Sequence, residues 1–119
     1  MKGFIYVLLT AVLILAAAGC ASLQKSRDEA RIAYTCANIR NLKAAAEMYY
    51  IDLVKYPVTL QDLLKDPGEN GWKGPYISGE AVMKDAWETP LRYELHDGIP
   101  KIASAGPDMI FGTEDDMSC

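Results

Sequence analysis

The feature that most constrains this chain is an amphipathic run over residues 27–53. Apolar side chains at Ile32, Cys36, Ile39, Leu42, Ala46, Tyr49 and Leu53 recur at steps of three and four. That spacing keeps them on one face of a 3.6-residue period. Arg40, Lys43 and Glu47 fall off the stripe, with Lys43 and Glu47 one turn apart, where they pair weakly. No glycine or proline interrupts the run before Pro57, and Asp28 and Glu29 occupy its first turn, where the helix dipole favours negative charge. A helix of about 27 residues would measure about 40 Å. It is too long for a chain of 119 residues to bury entirely.

Ahead of the stripe, Lys2 precedes an apolar run from Phe4 to Ala18, then Gly19 and Cys20. An apolar core of about 15 residues suits a signal peptide better than a membrane-spanning helix, which needs about 20. Ala17-Ala18-Gly19-Cys20, followed by Ala21-Ser22, resembles the bacterial lipobox. That resemblance implies cleavage before Cys20, a diacylglycerol on its thiol, and a signal peptide over residues 1–19. Ala17 stands where leucine is commoner, and the absence of Asp at Ala21 resembles lipoproteins sent to the outer membrane. Met1-Lys2-Gly3-Phe4 also resembles the start of a prepilin, cleaved after the glycine. On that reading the apolar segment runs from Phe4 to Leu23, long enough to span, but Leu8 stands where prepilins usually carry glutamate. The two readings stay open, with the lipoprotein preferred.

An exported chain with three cysteines calls for an explanation of the odd one. If lipid consumes Cys20, then Cys36 and Cys119 remain as a candidate pair. A bond between them would tie the tail to the long helix and close a loop of roughly 80 residues, worth roughly 4 kcal/mol in the chain-entropy model. The alternative is a buried Cys36 behaving as a small apolar residue, with Cys119 free. The formal charge of −4 and the lack of a basic cluster argue against nucleic-acid binding, which needs grouped Lys and Arg to neutralise phosphates.

Tyr56-Pro57 is expected to end the helix, because the residue before proline avoids helical geometry. Thr59, with Asp62 three residues on, reads as the cap of a short helix running to about Lys65. Between residues 68 and 90, glycines at 68, 71, 74 and 79 and prolines at 75 and 90 mark a loop. Trp72, Tyr76 and Trp87 are expected to plug that loop into the core. Residues 91–95 alternate as a strand, Asp97-Gly98 is a two-residue hairpin signal, and residues 99–103 return. His96, the one histidine, reads as an exposed residue beside the turn.

In the acidic segment that follows, Asp108, Asp115 and Asp116 lie among turn residues. Carboxylates gathered on one loop repel unless a cation intervenes. Calcium suits such a loop, since it takes six to eight oxygens at flexible angles. The pattern is not an EF-hand, lacking its alternating acids and final glutamate. Read by itself, such a segment is more often a solvated acidic turn.

Several motifs in order carry a wider resemblance. They are the long helix, Tyr56-Pro57, Thr59-Leu60-Gln61-Asp62-Leu63-Leu64, Gly71-Trp72-Lys73-Gly74-Pro75-Tyr76, and Lys84-Asp85-Ala86-Trp87-Glu88-Thr89-Pro90-Leu91-Arg92-Tyr93. Ser104-Ala105-Gly106-Pro107-Asp108 and Asp115-Asp116 complete the series. Together they resemble the globular domain of type II secretion system protein G, the major pseudopilin. Where that family usually has Asp-Pro-Trp-Gly-Asn-Pro, this chain has Asp85-Ala86-Trp87-Glu88-Thr89-Pro90. The resemblance implies an α+β fold, with a long N-terminal helix packed on a small antiparallel sheet and closed by a calcium loop. It places that domain over residues 30–119, after a linker and helix start at 20–29. It implies structural calcium held by the side chains of Asp108, Asp115 and Asp116, with carbonyls around Ala105, Ile110 and Thr113.

Two non-enzymatic roles follow as expectations. One is a lipid-anchored envelope protein with a pseudopilin-like calcium domain, at the periplasmic face or cell surface, linked to type II secretion-like machinery. The other is a true pseudopilin that polymerises with other pseudopilins into a periplasmic filament, with Leu8 replacing the glutamate that registers subunits. No small-molecule substrate is implied. An envelope hydrolase would need a nucleophile and base within reach, and only a deep pocket lined by His96 and carboxylates would favour it.

Overall fold

A computed structural model describes residues 2–119 of the chain, with side chains from Leu23 onward. Cys20, the leader over residues 1–19 and both cleavage signals lie outside the described side chains. Among the described residues no helix is long and apolar enough to cross a membrane. Two compact units divide the chain, Met1–Ala30 and Arg31–Cys119. The first is helical throughout its described backbone, and the second holds the remaining elements.

The long helix α1 spans Lys2–Leu53, so it passes through Arg27 instead of starting there. The acidic first turn expected at Asp28 and Glu29 lies in the helix interior. Nothing between Leu23 and Asp28 breaks a helix, because that stretch contains neither glycine nor proline, and a favourable start signal does not stop a helix already under way. α1 ends at Leu53, where the apolar stripe ends and just ahead of the Tyr56-Pro57 stop. Val54 adopts φ +60 and donates its N–H to the Tyr50 carbonyl at 2.7 Å. This left-handed residue closes the last turn.

Ile39, Leu42, Ala46 and Tyr49 of the predicted stripe are buried, joined by Thr35, Asn38 and Ala45. Ile32 departs from expectation at 41% exposed. It lies a turn before Thr35, the first described helix position that is buried. The core cluster combines Ile39, Leu42, Ala45 and Tyr49 with Leu60, Leu63, Leu91 and Ile102. Each fully buried aliphatic side chain of this kind contributes about 1.5–3 kcal/mol.

The short helix after Pro57 is a 3-10 turn, Leu60–Leu63, tighter and shorter than expected. Thr59 caps it by donating its N–H and its hydroxyl to the Asp62 carboxylate, at 3.4 and 3.2 Å. A second 3-10 turn, Glu80–Met83, lies inside the segment read as loop. Trp72 and Tyr76 pack against the core as anticipated, their rings edge-on at 5.7 Å. Trp72 Nε1 donates to the Asp62 carbonyl at 2.8 Å, and the Tyr76 N–H to the Leu63 carbonyl at 2.7 Å. Gly74 fits between the two rings, where an added Cβ would come within 2.7 Å of Trp72 and 2.8 Å of Tyr76. Trp87 is half-buried but is not among the residues packed on the core cluster.

Strands β1 (Arg92–His96) and β2 (Ile99–Ala103) form a two-stranded antiparallel sheet. β1 starts and ends one residue later than the sequence pattern indicates. Asp97 at φ 52 and Gly98 at φ 78 make the type I′ turn expected of Asp-Gly. Tyr93 pairs with Ile102 in the register, and both belong to the face turned to the core, while Arg92, Glu94, His96 and Lys101 are exposed.

Tyr93 fastens the sheet to the chain after α1, donating its hydroxyl to the Pro57 carbonyl at 2.5 Å. Burial, and secondarily the Asp62 charge, push its phenol up to about 12. A raised phenol pKa means that this contribution is complete below the ordinary tyrosine value near 10 and is lost as pH climbs to about 12. Denaturant midpoints measured at pH 8 and pH 11 should therefore differ less in Tyr93→Phe than in the parent chain. An unchanged difference would remove Tyr93 from the alkaline response.

Candidate functional site

The acidic loop is built from the sheet outward. After β2, Ser104 pairs with Met117 through two main-chain hydrogen bonds of 2.8 and 2.9 Å, so the segment between them is closed at its base. Gly106 is buried with φ +76. A Cβ there would collide with the backbone carbonyl of Asp115, so only glycine lets the two arms of the loop approach this closely.

Within the loop the acids are largely engaged locally. Asp108 accepts the Ile110 N–H on Oδ1 at 3.0 Å and the Thr113 hydroxyl on Oδ2 at 2.5 Å. Thr113, then the Ile110 N–H, hold its carboxyl below the usual aspartate range. Asp116 Oδ2 accepts the Gly112 N–H at 2.8 Å, and Asp115 is exposed. The Ile110 carbonyl takes the Thr113 hydroxyl at 3.3 Å, and the Thr113 carbonyl takes the Asp116 N–H at 3.3 Å. Ala105 is buried. The six expected ligand residues thus lie on one closed loop. However, no group of three or more His, Cys, Asp or Glu among the described residues is arranged to hold a metal ion. Their chemistry fits calcium, being carboxylate and carbonyl oxygen throughout.

Three supports anchor the loop. Phe111 lies beneath the Arg92 guanidinium, 4.6 Å from ring centroid to carbon, a cation–π contact onto the sheet. Lys43 Nζ donates to the carbonyls of Ser118 and Cys119 at 3.1 and 2.8 Å. Cys36 and Cys119 are joined in a disulfide with a Cα–Cα distance of 5.4 Å.

A fourth support, also not anticipated from the sequence, is Asp85. It is 2% exposed, and its carboxylate accepts three hydrogen bonds. Oδ1 takes the N–H groups of Trp87 and Thr89 at 3.0 and 2.9 Å, and Oδ2 takes the Ser104 hydroxyl at 2.7 Å. Ser104 Oγ in turn accepts the Gly106 N–H at 3.0 Å. From α1, Thr35 Oγ1 accepts the Ala86 N–H at 3.1 Å and Asn38 reaches the Lys84 carbonyl at 3.4 Å. A buried carboxylate is tolerated when donors surround it, and among the described residues no buried side-chain polar atom lacks a partner. The available signal was an Asp placed two and four residues before backbone N–H groups, an Asx-type turn. Its burial was not legible.

A groove of about 440 Å³ beside the sheet is lined by Lys43, Arg92, Glu94, His96 and Lys101, among others. His96 lies 2.9 Å from Glu94 Oε2 with both side chains about half exposed. Ser118 also lines this groove, and the hydrogen-bond partner of the imidazole is the Glu94 carboxylate.

The sequence matches the family model described as type II secretion system (T2SS), protein G, over residues 22–118. No curated protein matches it. Among solved structures, the fold is similar to the crystal structure of the major pseudopilin from the type 2 secretion system of enterohaemorrhagic Escherichia coli. That similarity has a TM-score of 0.65 at 25% identity and covers 80% of this chain and 90% of the other. The long helix, the small antiparallel sheet and the family match over most of the length agree: the chain belongs to the type II secretion system protein G family.

Proposed function

We propose that the chain acts without catalysis, as a structural part of type II secretion-like machinery in the cell envelope. It is held to the membrane by lipid on Cys20 and steadied by calcium in its acidic loop. The family match over residues 22–118 is the observation that carries the secretion role. A second reading is a pseudopilin that assembles with other pseudopilins or secretion components, favoured by the similarity to a solved major pseudopilin. Mass spectrometry of the mature protein separates the two. A diacylated Cys20 as the first residue supports the lipoprotein, and a free or methylated Phe4 supports the pseudopilin. An uncleaved Met1 would overturn both.

In the calcium part of this reading, Asp108, Asp115 and Asp116 hold the ion with the carbonyls of Ala105, Ile110 and Thr113. The ion supplies positive charge to a loop crowded with carboxylates. Free calcium at about 100 times its Kd would add about 2.7 kcal/mol, roughly 10–20 °C in Tm for a domain of this size. Replacing Asp115 and Asp116 together by alanine should abolish that calcium-dependent rise and scarcely alter melting in chelator. Equal losses in both conditions would mean that no metal is involved.

A further inference from the structure

We propose that the Cys36–Cys119 disulfide is a redox-sensitive latch on the acidic loop. Its reduction releases the 117–119 segment and opens the loop while the core stays folded. The placement of the bond carries this reading, which does not depend on calcium. The loop closes where Met117 returns to Ser104, and only two residues beyond that closure Cys119 is bonded to α1 at Cys36.

Apart from the Ser104–Met117 pair, the holds on the segment compete directly with water. Residues 112–116, 118 and 119 are exposed, and Lys43 reaches the Ser118 and Cys119 carbonyls through bonds that are themselves exposed. The hydrogen bonds inside the loop, Thr113 to Asp108 and Gly112 to Asp116, are exposed as well. Exposed bonds of this kind gain little over solvation. The disulfide is a covalent closure, set beside the Ser104–Met117 main-chain pair at the base of the loop. Locality follows from the core, because every member of the core cluster lies between Ile39 and Ile102. Release of the segment therefore removes no member of the core cluster.

The chemistry balances with a dithiol as reductant. Its thiolate attacks the sulfur of Cys119, which is exposed where Cys36 is half-buried, and the Cys36 thiolate leaves and takes up a proton. The second thiol of the reductant then displaces Cys119. Two electrons and two protons pass to the protein, giving two thiols and the oxidised cyclic disulfide of the reductant.

Amide hydrogen exchange on the full chain tests the latch, run in chelator with and without dithiothreitol. In the oxidised chain the Ser104, Gly112 and Met117 amides should exchange at least about tenfold slower than free chain, and on reduction they should approach the free-chain rate. The Tyr49 and Ile102 amides should stay slowed by more than about a hundredfold in both states. Cys119→Ser should show the reduced pattern without reductant. Loop amides that keep their protection on reduction would overturn the proposal, and so would core amides that reach the free-chain rate together with the loop. Since calcium is absent throughout, failure here is distinguishable from failure of the calcium reading.

Discussion

Asp85→Ala is expected to be among the most damaging single substitutions, costing about 4 kcal/mol. The variant removes the acceptor for three donors, the N–H groups of Trp87 and Thr89 and the Ser104 hydroxyl. Hydrogen bonds to a charged group are worth about 1.5–3 kcal/mol each, and a buried donor left without a partner costs about 1–3 kcal/mol more. Partial relaxation and entry of water bring the sum down to a net of about 4 kcal/mol. Asp85→Asn is the informative companion. Its carbonyl oxygen can still take the two N–H groups, while its amide faces a Ser104 hydroxyl that must turn to accept. It should lose roughly 1–2 kcal/mol. Urea midpoints for the two variants and the parent measure the contrast. Equal losses in Ala and Asn would show that the carboxylate's hydrogen bonds are not what the site contributes.

The second large effect is expected at the disulfide. With Cys36 and Cys119 at a sequence separation of 83, the chain-entropy model assigns roughly 4.5 kcal/mol to closing the loop in the unfolded state. For a domain of this size that corresponds to about 20–30 °C in Tm. Cys119→Ser should melt lower by that order, and dithiothreitol should bring the parent chain down to the variant while leaving the variant unmoved. A variant melting within a few degrees of the oxidised parent would remove the bond from the account of stability. This experiment reads the whole domain, whereas amide exchange reads whether the loop opens first.

The core face of α1 was legible because a helical period displays it directly: Ile39, Leu42, Ala46 and Tyr49 are buried where the spacing put them. The hairpin was legible because Asp97-Gly98 is one of few dipeptides that accept two positive φ angles in succession, as both do here. The helix start was misread because acidic residues at Asp28 and Glu29, favourable in a first turn, carry no weight against a helix already running. The 3-10 turn at Glu80–Met83 carries no period that a four-residue window could display.

Much of the site escaped the sequence for a different reason. Asp85, Ser104, Thr35 and Asn38 are polar residues that read as surface, and their burial exists only because three distant segments meet around them. The same holds for Gly106, whose small size matters only because the Asp115 backbone folds back onto it.

Local order, then, belongs to the sequence: which face of the helix is apolar, where the chain turns back, and which family's motifs it carries in order. Periodicity and turn chemistry act between near neighbours and so can be read along the chain. Tertiary structure alone decided that a carboxylate in a loosened family motif would be buried under the acidic loop. It also decided that Cys36 and Cys119 would come within 5.4 Å. Those outcomes depend on contacts between segments far apart in sequence, whose free energy is realised only once the core has brought them together.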